Sequence, residues 1–445
     1  MKKQDTNKMN RREFLGFSAL GLAGLTILPS WSINGQKFAP SDRVVYGFIG
    51  LGRQGMSDFG AASRCPGIQV AACSDVDSLK RDRFVKRCTE WQKKTGWNPR
   101  CDSYEFYEDL LERKDIDVVS IATPDHWHAL AAIHACQSSK DVYLQKPLTY
   151  TISESIALKR AVEINKRILQ VGSQQRSDRE FQRAIELVRA GAIGHIEHVQ
   201  VHIGEPPKPF DLPEVPVPPY LNFNKWMGPL TSSKVHYHPD MCPPIDNPEM
   251  QEHGPWAVWR NYRETGNGMT GDWGAHHYDI TQAALGMDGS GPVEFIPEGY
   301  NGTKYCTMKY ADGVVVTRQV IENFRKDNPT DLGIKFIGTK GWLKVTRGYI
   351  ECSDNSLVKD TPKGQSTSHM QNFVDCVRSR QKPIASVEVG CSTNIMCCII
   401  NIAHELGRPV KWDPATLSFG TDEEARNHRL YHYEYRNPYT LPYWD

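Results

Sequence analysis

Gly50-Leu51-Gly52-Arg53-Gln54-Gly55 spaces three glycines as a phosphate-binding turn does, and Asp75 lies twenty residues beyond the last of them. Glycines permit the tight turn and let backbone N–H groups approach a pyrophosphate at the positive end of the following helix. The pattern alone is weak evidence. Here the apolar run Val44–Ile49 precedes it and a helical pattern follows, as a βαβ unit requires. Asp75, at the end of the next strand, can accept hydrogen bonds from an adenosine ribose and repels a 2′-phosphate, which favours NAD over NADP. Gly50, Gly52, Arg53, Gln54, Gly55 and Asp75 are therefore the expected dinucleotide-binding set.

Two further groups fall at carboxyl ends of strands, where this architecture binds ligands. Thr123-Pro124-Asp125-His126-Trp127-His128 follows the run 117–122, and Gln145-Lys146-Pro147 follows 142–144. A lysine so placed can hold a nicotinamide ribose or a substrate hydroxyl and stabilise developing alkoxide charge, although most loop lysines are merely solvated. A third group, Asp272, His276 and Asp279, shares one face of a helical stretch by its spacing of four and three. A carboxylate beside an imidazole fixes its tautomer and raises its basicity, which suits abstraction of a hydroxyl proton as hydride leaves carbon. The same stretch also reads as a helix start capped by Thr270 or Asp272, with incidental histidines. Zinc at His276, His277 and Asp279 is disfavoured because adjacent histidines diverge on a helix, and no metal is expected. Trp226, Trp256, Trp259 and Trp273 can stack on sugar faces or simply pack.

A strand–helix alternation positions these groups. Strands are expected at 44–49, 68–73, 117–122, 142–144 and 168–171, with helices from the glycine turn to about 63, then at 78–94, 104–113, 127–137 and 152–165. Residues 95–103 read as a loop, and the whole reads as a six-strand, doubly wound parallel sheet. A helix over 179–190 and a strand over 195–203 follow. The Pro- and Trp-rich stretch 205–262 has little periodicity and is too long for an idle connection, so it reads as an insertion over a site. An apparent helix opens in 266–279 and runs towards Leu285. Short β-rich runs over 293–352 predict an antiparallel sheet, closed by helices over 368–380 and 387–406.

The chain has 445 residues, enough for two domains with appendages, and a formal charge of +1 that gives no electrostatic case for nucleic acid. Arg11-Arg12 precedes an apolar run from Phe14 to Leu28 that is shorter than a bilayer span, in the manner of a twin-arginine export signal. A membrane anchor is the alternative. Twelve cysteines lack metal spacing and fall in apolar runs, so buried free thiols are expected, with one or two bridges as the alternative.

Together these residues resemble the Gfo/Idh/MocA family of nicotinamide-dependent oxidoreductases, over nearly all of 44–413. The resemblance rests on the glycine turn, Thr123-Pro124 to His128, Lys146-Pro147, Trp226-Met227-Gly228-Pro229, Asp272 to Asp279, and Asn372-Phe373. It implies a Rossmann domain (43–172) and a C-terminal α/β domain with an open, mostly antiparallel sheet (173–412), flanked by an export segment (1–34) and a surface-wrapping tail (413–445). By the same resemblance Lys146, Asp272 and His276 are catalytic. Thr123, Pro124, His128, Gln145 and Lys146 join the NAD contacts, and Arg176, Trp273 and His277 face the substrate. Gln145 stands where the family carries glutamate. The expectation is a periplasmic oxidoreductase that moves hydride between a tightly bound NAD(H) and a secondary hydroxyl of a sugar or glycoside. It is expected to be a homo-oligomer, dimer or tetramer, with no stable membrane span after export. An NAD-dependent glycosidase with no net redox change and a non-catalytic sugar-binding relative are the alternatives.

Overall fold

Continuous apolar runs become strands buried on both faces when helices cover both sides of a parallel sheet. The computed structural model describes residues 31–33, 36–38, 43–245, 256–361 and 368–444. Trp31–Ile33 and Gln36–Phe38 pair as an antiparallel hairpin in the unit ending at Arg43. The twin-arginine stretch lies outside the described residues.

From Val44 on, the chain forms a second unit. Its first half runs β1 (Val44–Ile49), α1 (Arg53–Ala62), β2 (Ile68–Ser74), α2 (Ser78–Thr95), β3 (Asp102–Tyr104), α3 (Tyr107–Leu111), β4 (Val118–Ile121), α4 (Asp125–Gln137), β5 (Asp141–Leu144), α5 (Ile152–Asn165) and β6 (Leu169–Val171). The six strands are parallel in the order β3-β2-β1-β4-β5-β6, the doubly wound arrangement. Five matched apolar runs. The sixth, β3, falls where a loop was expected; it is a short edge strand paired only to Ala72–Ser74, so no buried face marks it in sequence. Local chemistry sets the helix starts. Asp77 accepts the N–H groups of Leu79 and Lys80 at α2, and Thr151 with Glu154 forms a capping box on α5.

The second half continues with α6 (Arg179–Arg189), β7 (Ile196–His202), α7 (Phe223–Met227), α8 (Gly268–Asp272) and α9 (Gly274–Leu285). Then come β8 (Glu294–Ile296), β9 (Cys306–Lys309), β10 (Val315–Arg318), β11 (Gly333–Gly338), β12 (Gly341–Thr346), β13 (Tyr349–Cys352), α10 (His369–Ser379), α11 (Val387–Leu406), β14 (Val410–Lys411) and α12 (Glu423–Arg426). Eight strands order as β13-β12-β11-β7-β10-β9-β8-β14. The sheet is mostly antiparallel, with one parallel pair, β7 with β10. The long excursion after β7 gives the chain the crossover a parallel pair requires.

Helix α10 returns to cover the first sheet, where Phe373 meets the rings of Tyr46 and Tyr143. Helix α11 packs on α5 and α9. It is apolar and long enough to cross a membrane, yet most of its length is buried in the protein. All twelve cysteines are buried free thiols. The tail does more than wrap the surface. Leu430 is fully buried, its carbonyl accepts the Ile152 N–H (2.9 Å), and Arg429 donates to the Tyr150 hydroxyl (2.8 Å).

Candidate active site

The carboxyl ends of β1, β2, β4 and β5 open into a cleft walled on its far side by the insertion. The insertion is anchored rather than draped. Asn222 donates its backbone N–H to Val76 O (3.0 Å) and its amide to Glu105 (2.6 Å), while Trp127 Nε1 donates to Trp226 O (2.9 Å). The walls carry Arg53, Lys80, Arg83, Lys146, Lys225 and Arg260 against Asp75, Glu105 and Asp125, a positive balance that suits a pyrophosphate.

At one end Gly50, Gly52, Arg53, Gln54 and Asp75 line the cleft together. A Cβ on Gly52 would meet nothing within 4 Å, so the backbone there is open to a ligand. A Cβ on Gly55 would lie 2.0 Å from Gly50 O, so glycine is needed for α1 to pack beneath the turn. Helix α1 has no side-chain cap, which leaves its first N–H groups for a phosphate. Asp75 braces the turn by accepting the N–H groups of Leu51 (2.7 Å) and Asp77 (2.9 Å), with carboxylate lone pairs left for ribose hydroxyls. The residues present fit a dinucleotide. Across the cleft the Trp256 ring meets two guanidinium groups, Arg53 at 4.5 Å and Arg260 at 4.7 Å from its centroid.

At the other end Thr123, Pro124, Gln145 and Lys146 line the wall. Lys146 Nζ donates to Asp272 Oδ1, and Arg260 Nε lies 3.5 Å from Asp272 Oδ2. Burial opposes ionisation of Asp272, but attraction to Lys146 and Arg260 prevails and holds its pKa below the usual carboxylate value. The expected Asp272–His276 contact is absent, since both cations claim the carboxylate. His276 Nδ1 is buried without a hydrogen-bond partner, and burial with the nearby Lys146 charge pushes its pKa well down. The helix expected to run unbroken is divided at Trp273 into α8 and α9.

Gln145 has its own partner. Its amide donates to both oxygens of the fully buried Asp58 (2.9 and 3.0 Å), which also accepts from Gln54 (2.9 Å). Burial raises Asp58 to about 7 against these hydrogen bonds. A glutamate at 145 would set two carboxyl groups face to face, so the glutamine and Asp58 belong together.

Several expected contacts lie elsewhere. His128 is buried behind the wall, Nδ1 2.7 Å from Pro147 O and Nε2 3.0 Å from Thr123 O. It ties the two loops together and does not line the cleft. Arg176, expected at the substrate, is buried in a structural ion cluster with Asp279 (2.7 Å) and Asp288 (2.6 Å). His277 is buried with Nδ1 3.1 Å from His202 O, and Trp273 carries Arg347 over its ring at 4.6 Å; neither lines the cleft. His276, His277 and Asp279 thus face different neighbours. No spacing or motif marks Arg260, Lys80 or Arg83, which line the cleft from an irregular segment and a charged helix. Asp125 and Trp127 sat inside a recognised motif without an assigned role.

A family model described as an oxidoreductase family, NAD-binding Rossmann fold, matches residues 44–173. The model for that family's C-terminal alpha/beta domain matches 208–441. Among curated relatives, a glycosyl hydrolase family 109 protein from Shewanella pealeana is 29% identical over 210 residues, 43% of this chain and 45% of the relative. Another, from Shewanella sp. strain ANA-3, is 30% identical over 168 residues, 38% of this chain and 36% of the relative. The chain thus spans less than half the length of these curated relatives. Among solved structures, a dehydrogenase from Chromobacterium violaceum in complex with NADH and UDP-GlcNAcA has a TM-score of 0.59 at 16% identity, covering 87% of this chain and 99% of that one. An aldose-aldose oxidoreductase from Caulobacter crescentus has 0.54 at 17%, covering 83% and 99%. At these identities the likeness is one of fold.

Proposed function

This chain belongs to the Gfo/Idh/MocA family of NAD-binding oxidoreductases, and from that premise we propose a periplasmic enzyme that moves hydride between a tightly held NAD(H) and a secondary hydroxyl or ketone of a sugar or glycoside. The observation that carries this reading is one cleft lined by both the glycine turn and Lys146, whose ammonium is paired with Asp272. Bound NAD supplies the hydride acceptor or donor. The protein's part is positional and electrostatic. Lys146 presents an ammonium to the reacting oxygen and stabilises negative charge there, and Asp272 with Arg260 fixes where that ammonium sits. Trp226 and Trp259 line the wall as stacking faces for a sugar, and the insertion limits water at the reacting carbon.

The sugar assignment draws support from relatives and structural neighbours whose names refer to glycosides, aldoses and a UDP-sugar. The periplasmic location rests on Arg11-Arg12 and the apolar run after it. Export of the folded protein with its nucleotide already bound explains how an enzyme outside the NAD pool can act. The test is to denature purified protein, identify the released nucleotide, and repeat after exposure to methyl glycosides. Bound NAD that becomes NADH with a keto-sugar formed supports the reading; protein that carries and binds no nucleotide ends it. An NAD-dependent glycosidase is the second reading, favoured by the similarity to glycosyl hydrolase family 109 proteins. Release of free sugar with no NADH accumulating selects it.

A further inference from the structure

Strands β7 and β12 flank β11, with Val201 and Val345 both in register with Ile334, so their carboxyl ends share one edge of the second sheet. The start of α9 is fastened to that edge through His277, whose Nδ1 lies 3.1 Å from His202 O. Beyond β12 a turn of two residues, Arg347 and Gly348, leads into β13, with Thr346 paired to Tyr349 and Gly348 at φ +70°. A turn this short fixes where the arginine leaves the backbone. Its guanidinium lies over the Trp273 ring, 4.6 Å from the centroid. Trp273 directly follows Asp272, the carboxylate that holds Lys146. The hairpin thus adds a third cation, after Lys146 and Arg260, to those that act on Asp272.

Most exposed arginines are simply solvated. Arg347 differs in standing near two carboxyl groups, Asp272 and Asp178, and pairing with neither. Among the described residues it makes no hydrogen bond or ion pair. Both carboxyls are already engaged: Asp272 by Lys146 and Arg260, and Asp178 at the start of α6, where it accepts the Glu180 N–H (3.2 Å). Counter-charge at this end is also thin. Burial raises Asp178 to about 7 and Asp125 to about 8, whereas Asp272 stays ionised against three cations. A guanidinium resting on an aromatic face keeps its in-plane N–H groups for a ligand, and that fork matches a carboxylate or phosphate. We propose that Arg347 selects an anionic sugar by receiving a carboxylate or phosphate group of the molecule whose hydroxyl meets Lys146. This names the substrate class of the hydride-transfer reading above and rests on it. Trp273, expected to face the sugar itself, becomes the platform that positions the arginine.

The test compares methyl glucuronide, glucose 6-phosphate and the neutral methyl glucoside on purified protein with its bound nucleotide. Calorimetric titration should show one of the anionic sugars binding at least about 10-fold more tightly than the neutral one, with the advantage shrinking as salt rises. A preference for the glucuronide identifies a carboxylate as the anion, and a preference for the phosphate ester identifies a phosphate. In Arg347→Gln the ratio of anionic to neutral affinity should fall by about 10–100-fold, and Arg347→Lys should recover part of it. In reduction of the bound nucleotide the same loss should appear in KM for the anionic sugar, with kcat little changed. No preference in the parent overturns the proposal. So does an equal loss for charged and neutral sugars in Arg347→Gln, which would make Arg347 a counter-charge to Asp272. If Arg347 governs anion binding but no sugar reduces the bound nucleotide, the hydride-transfer reading fails while the anion site stands.

Discussion

Gln145 and Arg176 show how a side chain's partner decides its meaning. Gln145 points its amide into Asp58 beneath the cleft floor, and that pairing is the physical content of the departure from the family's glutamate. Asp58 has a pKa raised by burial, so the stability it contributes is complete below its unfolded value near 3.8 and is lost as pH rises through about 7. Gln145→Glu adds a second buried carboxyl and strengthens that trend. Its melting temperature should match the parent's near pH 5 and fall progressively below it towards pH 8, as thermal unfolding across that range will show. Arg176 was expected at the substrate, but it neutralises Asp279 inside the second half of the molecule. Arg176→Ala leaves a buried carboxylate unpaired and should cost about 3–5 kcal/mol in denaturant unfolding. The nucleotide content of molecules that still fold should be unchanged.

At the scale of elements, the glycine turn and α1 work as one piece. The two glycines that matter most serve different ends, and paired alanine variants separate them. Gly55→Ala places a Cβ 2.0 Å from a backbone oxygen, so α1 must move; a loss of about 1–3 kcal/mol is expected together with loss of bound nucleotide. Gly52→Ala has open space for its Cβ and ordinary helix-start geometry, so its melting temperature should stay close to the parent's. Its methyl group occupies the approach a phosphate needs, so nucleotide released on denaturation should fall. Equal loss of stability in both variants would contradict this division. The insertion is the other element that makes the site. It brings Trp226, Trp259 and Arg260 to a cleft whose other wall is built from the loops at the carboxyl ends of the parallel sheet.

Across the whole molecule, the last thirty residues hold the halves in register. Arg429 bonds Tyr150 and Glu405, Tyr435 donates to the buried Glu154 (2.6 Å), and Leu430 is fully enclosed. Glu154 caps α5 from inside, so the tail supports the helix that follows the Lys146 loop. Leu430→Ala should therefore cost about 2–5 kcal/mol, as other buried leucines do, measurable by chemical unfolding. A change within about 0.5 kcal/mol, typical of surface positions, would return the tail to a surface role.

The parallel sheet was legible because its strands are apolar runs with a period the sequence cannot hide, and Gly50, Gly52, Gly55 and Asp75 carry a local geometry that spacing alone encodes. Helices over 152–165 and 387–406 were bounded by capping residues and Gly407, which are local signals too. Strand β3 was not legible, since three polar edge residues owe their conformation to a neighbour strand 30 positions away. The same holds for the site. Spacing on one helix suggested that Asp272 serves His276, but contacts between distant segments, with Lys146 at 126 residues' separation, are stronger than adjacency on a helix face. Sequence by itself determined a dinucleotide turn, its doubly wound support and the lysine at the strand end. Only the tertiary structure decided which charges meet, because pairing inside a protein follows distance and burial, and neither is written in the order of residues.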